Sequence, residues 1–431
     1  MKIKTKKLSY EELNVVAFRQ HKLPQRPSRL IKNLAVLLSR SELKKVHFKY
    51  EDNIKDKLKS KEPCLILMNH SSFIDLKIAE TIFKKRDFQI VCTSDGFVGK
   101  EWLMRKVGCI PTQKFVTDIR LVKDLMYCVN KLKTSILMFP EASYSFDGTM
   151  TPLPDSLGKL VKMLKVPVVM VRTHGAFLRD PLYNGLRVRS ADVCATSDII
   201  ITAEQAESLS DKEILEIINE SFEYDHFKEQ SDKKIRINEN FRTLGLERVL
   251  YKCPICKEEG HMKGTGVQFG CQACESSFEM DEYGKMHLLQ KGNGSSDEFR
   301  LNHIPDWYKW ERECVKKEIE DGTYKLDVDV DIKVLKDFNA IYEVGDGRLT
   351  HDSNGFMLTG CNGGLNYKQS SKVSYSLYSD YFWYELGDMI CIGDNKVLYY
   401  CFPKGENVIV AKARLAAEEI FKITRNDKMK A

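Results

Sequence analysis

The residues most able to do chemistry lie at two places. The first is Asn69-His70-Ser71-Ser72-Phe73-Ile74-Asp75, directly after the apolar run Leu65–Met68. A strand ending at Asn69 puts His70 at the carboxyl edge of a sheet, where ligands bind in open α/β folds. Ser71 or Ser72 can cap the next helix, which leaves Asp75 in or near its first turn. From there the carboxylate can fold back onto the imidazole. An aspartate on one ring nitrogen fixes the tautomer and supports the imidazolium, and the other nitrogen can then take a proton from a hydroxyl. The pattern is the base half of a triad without a protein nucleophile, suited to activating a substrate alcohol. Taken alone, His-x4-Asp reads more readily as a capping serine, a packed histidine and a surface aspartate.

The second place is Cys253-Pro-Ile-Cys256 followed, after fourteen residues, by Cys271-Gln-Ala-Cys274. Each Cys-x2-Cys knuckle gives two thiolates on one turn, and four thiolates make a closed tetrahedral zinc site. Gly260, Gly264, Gly266 and Gly270 lie between the knuckles and Phe278 follows them, the pattern of a small zinc ribbon. Such a module has little core and draws folding energy from its metal. The Zn2+ is expected to be structural, since no ligand position is left open for catalysis. Glu258, Glu259, Glu275, Glu279, Asp281 and Glu282 make the ribbon acidic, so protein contact or a spacer role is expected rather than nucleic-acid binding.

The elements that position these residues follow from the hydrophobic pattern. Apolar runs at Cys64–Met68, Gln89–Thr93, Ser135–Phe139 and Val166–Val171 alternate with periodic segments at Leu76–Phe83, Asp118–Leu132 and Ser156–Leu164. This predicts an α/β domain over 61–245 with a mainly parallel sheet. Residues 204–230 read as acidic helix that closes it. The ribbon occupies 246–290. A linker, Lys291–Ser296, and a helix over 304–320 fill 291–323. From 324 to 431, Val, Tyr and Phe alternate with polar residues between Gly-rich turns, which predicts an antiparallel β domain closed by a helix over 409–424. Its shape suggests a pleckstrin-homology-like module that binds lipid headgroups or protein.

The chain has 431 residues, 43% hydrophobic and 30% charged, and a net charge of +6. That is ordinary for a folded protein and argues against global disorder. The thirteen cysteines fit a reducing compartment, and the N-terminus lacks the apolar stretch of a secretory signal. Residues 1–60 carry 16 Lys and Arg against 6 Asp and Glu, a net +10, while the remaining 371 residues carry −4. A basic N-terminal arm over 1–60 suits an anionic membrane surface, and Leu30–Leu38 places apolar groups at helical spacing within it. The bland reading is a solvated surface with a helix packed on the next domain.

Three further blocks change the weight of His70 and Asp75. Val107-Gly108-Cys-Ile110-Pro111-Thr-Gln-Lys114 comes first, then Phe139-Pro140-Glu141-Ala142-Ser143-Tyr144-Ser145, then Val166-Pro167-Val168. With Asn69-His70-x4-Asp75 they resemble, in order, the four motifs of the PlsC-type glycerolipid acyltransferases, which include the 1-acylglycerol-3-phosphate acyltransferases. The resemblance covers about 185 residues and implies acyl transfer from acyl-CoA or acyl-acyl carrier protein to a lysophospholipid. It makes His70 the general base and Asp75 its orienting partner. It assigns Lys114, Glu141, Ser143 and Tyr144 to the acceptor site.

Departures from the family pattern concern the phosphate-binding residues. The third motif has Ala142 for Gly, Ser143 for Thr and Tyr144 for Arg, and Tyr cannot replace a guanidinium fork. Lys114 stands where Arg is common and remains a point charge. Arg172 and His174 either supply the missing polarity or simply sit beside the sheet. The expected protein is therefore a cytoplasmic acyltransferase of phospholipid synthesis, held peripherally at the inner face of the membrane. The alternative is an altered-specificity or non-catalytic relative that serves as a lipid- or protein-binding module.

Overall fold

The computed structural model describes residues 2–59, 61–116, 118–185, 187–294, 301–405 and 410–430. It divides into two units, one of Gln20–Asp180 with Val188–His226, the other of Met1–Arg19, Pro181–Arg187 and Phe227–Ala431. These boundaries differ from the segments that composition suggests, because residues 20–60 fold with the first unit and residues 227–245 with the second.

In the first unit, helix α1 (Arg29–Lys45) precedes strand β1 (Lys49–Asp52). Then follow β2 (Leu65–Met68), α2 (Asp75–Ile82), β3 (Phe88–Thr93), α3 (Glu101–Val107), β4 (Cys109–Thr112), α4 (Ile119–Tyr127) and β5 (Ser135–Met138). The unit continues with α5 (Ser156–Leu164), β6 (Val168–His174), β7 (Cys194–Ile201) and α6 (Asp211–Phe222). The sheet order is β1-β7-β6-β2-β5-β3-β4. Strands β6, β2, β5, β3 and β4 run parallel to one another, but β7 is antiparallel to β6 and β1 pairs with β7. The sheet is thus mixed; β1, Lys-Tyr-Glu-Asp, carries too little apolar character to be read from sequence.

The central strands are apolar along their whole length because both faces are covered. Leu65 and Leu67, Ile136 and Met138, and Val168 and Met170 point into a core with Leu157, Leu160, Ile214, Ile218 and Phe222. The alternate residues Ile66, Met68, Leu137, Val169 and Val171 are buried on the other side. The acidic helical region divides into Ala203–Ser208, α6 and His226–Asp232, and capping boxes open the first two, Thr202 with Gln205 and Ser210 with Glu213.

Helix α1 is not part of a free arm. Lys32, Val36, Ser39 and Leu43 are buried, and the Lys32 ammonium donates to the carbonyls of Phe83 and Arg86 beyond the end of α2. Its other face leaves Leu30, Leu34, Leu37 and Leu38 between 53% and 83% exposed. Among the described residues no helix is long and apolar enough to cross a membrane.

In the second unit, β8 (Met262–Thr265), β9 (Gln268–Cys271), β10 (Ser277–Met280) and β11 (Met286–Gln290) form an antiparallel four-stranded sheet. Helix α7 (Ile304–Glu320) belongs to this module rather than to a linker. Its Trp307 is fully buried edge-on against Phe269 and Phe278, and its indole N–H donates to the Lys252 carbonyl at 3.1 Å. The last two residues of the Lys291–Ser296 segment lie outside the described residues.

The β domain follows with β12 (Leu326–Leu335), β13 (Ile341–Asp352), β14 (Gly355–Gly360), β15 (Leu365–Ser370), β16 (Tyr378–Trp383), β17 (Gly387–Gly393) and β18 (Leu398–Pro403). Their antiparallel order is β15-β14-β13-β12-β18-β17-β16, and Thr5–Lys7 adds to β13 in parallel. Helix α8 (Val410–Lys430) closes the domain with Val410, Ala411, Leu415, Ala416 and Ile420 buried. A buried ion network, Arg312 with Glu418 at 2.7 Å and with Glu419 at 2.9 Å, joins α7 to α8.

Candidate active site

Strand β2 delivers Asn69 and His70 to the sheet edge. Asn69 is fully buried and stitches β2 to β6: its Oδ1 accepts the Thr173 N–H at 2.8 Å, and its Nδ2 donates to the Thr173 carbonyl at 3.2 Å. His70 is then held on both sides of its backbone. Its N–H donates to Glu141 Oε2 at 2.9 Å, and its carbonyl accepts the Ser145 N–H at 3.2 Å.

The loop to α2 does not use a serine cap. Asp75 opens the helix, and its own carboxylate folds back. Asp75 Oδ2 accepts the N–H groups of Ser71 at 2.8 Å and Ser72 at 2.9 Å, and meets His70 Nδ1 at 3.2 Å. Ser72 Oγ accepts the Ile74 N–H at 3.2 Å and donates to Asp180. Ser71 Oγ lies 3.1 Å from both Asn69 Nδ2 and His226 Nε2. Both serine hydroxyls are therefore bonded elsewhere than to His70.

The imidazole is one-fifth exposed and sandwiched between two rings, Phe139 at 4.3 Å and Tyr144 at 4.0 Å between centroids. Phe73, half exposed, packs on the outer side of Tyr144 at 4.9 Å. Burial pushes the His70 pKa below the usual histidine range, and the nearby Lys114 charge pushes the same way. The hydrogen bond and charge of Asp75 oppose them without winning. His70 is therefore neutral at neutral pH, with Nδ1 on Asp75 and Nε2 left as the proton acceptor.

Glu141 is fully buried and holds three segments at once. Beyond the His70 N–H, its Oε1 accepts the Thr151 N–H at 2.9 Å and the Tyr224 hydroxyl at 2.8 Å. Burial beside Glu141 raises the Tyr224 pKa, which keeps that hydroxyl a donor. Ala142 turns the loop in the left-handed region at φ 56°, where a glycine would carry no Cβ penalty. Ser143 is 2% exposed, and its hydroxyl has no hydrogen-bond partner among the described residues. Lys114 follows β4, half-buried. In the same block Gly108 ends α3 at φ 98°, where a Cβ would stand 2.7 Å from Pro27 Cγ.

The site thus gathers His70, Asp75, Glu141 and Tyr144, with Lys114 near enough for its charge to act on His70. Arg172 is directed elsewhere, donating to the Ser221 carbonyl of α6, and His174 pairs in register with Cys194. The helical reading of 204–230 hid Tyr224 and His226. Helix α6 ends at Phe222, and Asp225 bridges to Thr149, which turns Tyr224 and His226 inward. A Tyr-x-His just past an apolar helix was the available signal.

The cysteines form a second, separate centre. Their four Sγ atoms lie within 4.8 Å of one another, with Cys253–Cys274 and Cys256–Cys271 both at 3.7 Å. Sulfurs around a tetrahedral zinc with ~2.3 Å bonds stand ~3.8 Å apart, so the donor set fits that ion. The knuckles repeat one backbone pattern. Cys253 N–H bonds Glu258 and Cys271 N–H bonds Ser276, while Lys257 and Glu275 turn left-handed and donate back to Cys253 and Cys271.

Residues 45–173 match the protein-family model described as Acyltransferase. Among solved structures, the 1-acyl-sn-glycerophosphate (LPA) acyltransferase PlsC from Thermotoga maritima is similar, at 13% identity and a TM-score of 0.36. That likeness covers 44% of this chain and 78% of that one. The chain therefore carries an acyltransferase domain, and the matched stretch contains His70, Asp75, Lys114, Glu141, Ser143 and Tyr144.

Proposed function

We propose that this domain moves a fatty acyl group from an acyl thioester, acyl-CoA or acyl-acyl carrier protein, to the hydroxyl of a lysophospholipid, with 1-acylglycerol-3-phosphate the leading acceptor. The observation that carries the reading is the neutral His70 whose Nδ1 meets buried Asp75 at 3.2 Å. Nε2 takes the proton of the acceptor hydroxyl as its oxygen attacks the thioester carbonyl. Asp75 supports the imidazolium that forms. The carbon–sulfur bond then breaks, and the imidazolium returns the proton to the leaving sulfur. The hydroxyls of Ser71 and Ser72 are bonded away from His70, which favours direct attack over an acyl-enzyme.

Glu141 acts through His70 and its loop rather than on the acceptor, since both its oxygens already hold donors of this chain. Lys114 supplies the cation for an acceptor phosphate. Tyr144 favours a second reading, an altered acceptor headgroup or a non-catalytic binding module, because a ring rather than a guanidinium covers His70. Zinc is the proposed metal of the four cysteines, closing the ribbon on Trp307. The domain docks on an anionic membrane by the exposed leucines of α1, flanked by exposed Arg29, Arg40, Lys44 and Lys45.

The test is incubation with labelled acyl-CoA or acyl-carrier protein and a panel of lysolipids. Wild type should acylate at least one lysolipid, and His70→Ala should acylate none while staying folded. Near-normal turnover by His70→Ala would refute the mechanism.

A further inference from the structure

The loop that carries Asp75 is anchored at a second point. Ser72 Oγ donates to Asp180 Oδ1, and Asp180 Oδ2 accepts from Arg179 at 2.9 Å. The other arm of that guanidinium reaches Glu42 Oε1 at 2.6 Å, and Glu42 also holds Lys77. Ser72, Asp180 and Arg179 are 1%, 5% and 6% exposed. A chain of hydrogen bonds and charges, buried except at Glu42, therefore runs from the last turns of α1 to the residue whose N–H holds the Asp75 carboxylate.

Stability does not require such a chain. Each buried ion gives up favourable hydration, and apolar replacements of similar volume are often as stable. What a hydrogen-bonded polar chain supplies is one fixed geometry. Here that geometry is the 71–75 loop, whose position sets the 3.2 Å contact between Asp75 and His70.

We propose that Glu42, Arg179, Asp180 and Ser72 form a positioning relay that fixes Asp75 against His70 by tying the 71–75 loop to helix α1. The relay makes the geometry of the base depend on the seating of the helix whose outer face carries the exposed leucines. Its turnover readout rests on the acyl-transfer reading, whereas its titration readout does not. His70 faces Asp75, the Lys114 charge and the rings of Phe139 and Tyr144. Asp180 faces Ser72, Arg179 and the Asp75 charge, and Glu42 faces Lys77 and Arg179.

The experiment compares wild type with Ser72→Ala, Asp180→Asn, Glu42→Gln and the Ser72→Ala/Asp180→Asn double variant. His70 is titrated by NMR, kcat and KM are measured, and folding is followed by circular dichroism. Loosening the Asp75 hydrogen bond removes an influence that raises the His70 pKa, so the pKa should fall in each variant. Where there is turnover, kcat should drop roughly 10- to 100-fold with KM unchanged. The double variant should lose no more than the worse single one, as expected of residues acting in one chain. Folded Ser72→Ala and Asp180→Asn with wild-type His70 titration would overturn the relay, as would losses that multiply in the double variant. If Ser72→Ala does not fold, Glu42→Gln at the partly exposed far end decides by the same titration. A wild type with no turnover would refute acyl transfer and leave the titration to judge the relay.

Discussion

Asp75→Asn probes the proposed base most directly. The substitution keeps shape and leaves an oxygen that can still accept the Ser71 and Ser72 N–H groups, so the loop should stay folded. It removes the charge 3.2 Å from His70 Nδ1. At an effective dielectric near 20, a unit charge at that distance stabilises an imidazolium by about 5 kcal/mol. Solvation of the one-fifth exposed ring offsets part of this. A loss of about 4 kcal/mol in the transition state corresponds to roughly a 1,000-fold fall in kcat. The pH profile should change too. Asp75 raises the His70 pKa against burial, so its loss should move the acid limb of kcat to lower pH, opposite to the shift expected if an acid had been removed. Turnover of labelled acyl thioester from pH 4 to 9 on the best lysolipid reads both. A folded variant within about tenfold of wild type, or an acid limb moved upward, would refute the assignment of Asp75 as support for an imidazolium.

Other outcomes follow from the same geometry. Purified protein should hold one zinc by elemental analysis, and Cys253→Ser or Cys271→Ser should lose it and expose the ribbon to protease while the acyltransferase domain stays folded. Ala142→Gly should stabilise that domain by ~0.5–1 kcal/mol in denaturant titrations, since a left-handed non-glycine residue costs ~1–2 kcal/mol and the entropy of glycine in the unfolded chain offsets part of it. Leu34→Ser/Leu37→Ser/Leu38→Ser should weaken co-sedimentation with anionic liposomes roughly 100-fold or more, at over ~1 kcal/mol per inserted leucine, and wild-type binding should decline as salt rises. Deleting residues 1–40 is the poorer test, because it also removes Lys32, Val36 and Ser39 from the buried face of α1. Equal liposome binding by the triple variant would remove α1 as the anchor.

The sequence by itself determined the features that depend on neighbours in the chain. The run Leu65–Met68 had to be a buried strand. The five-residue separation of His70 and Asp75 lets one carboxylate reach back to the imidazole from the helix start. Two Cys-x2-Cys knuckles need only two tight turns to present four thiolates. Tertiary structure decided whatever joins distant segments. Glu141 became a clamp on His70, Thr151 and Tyr224, and Tyr144 became a lid on the imidazole. Asp180 bonds a serine 108 residues away, and Arg179 bonds a glutamate 137 residues away. The directions of β1 and β7 and the outward leucines of α1 were decided in the same way. Local periodicity says that a helix has an apolar face and that a strand is buried. Which face the core takes, and which carboxylate meets which donor, depends on the cost of leaving polar groups unpaired when remote segments close together.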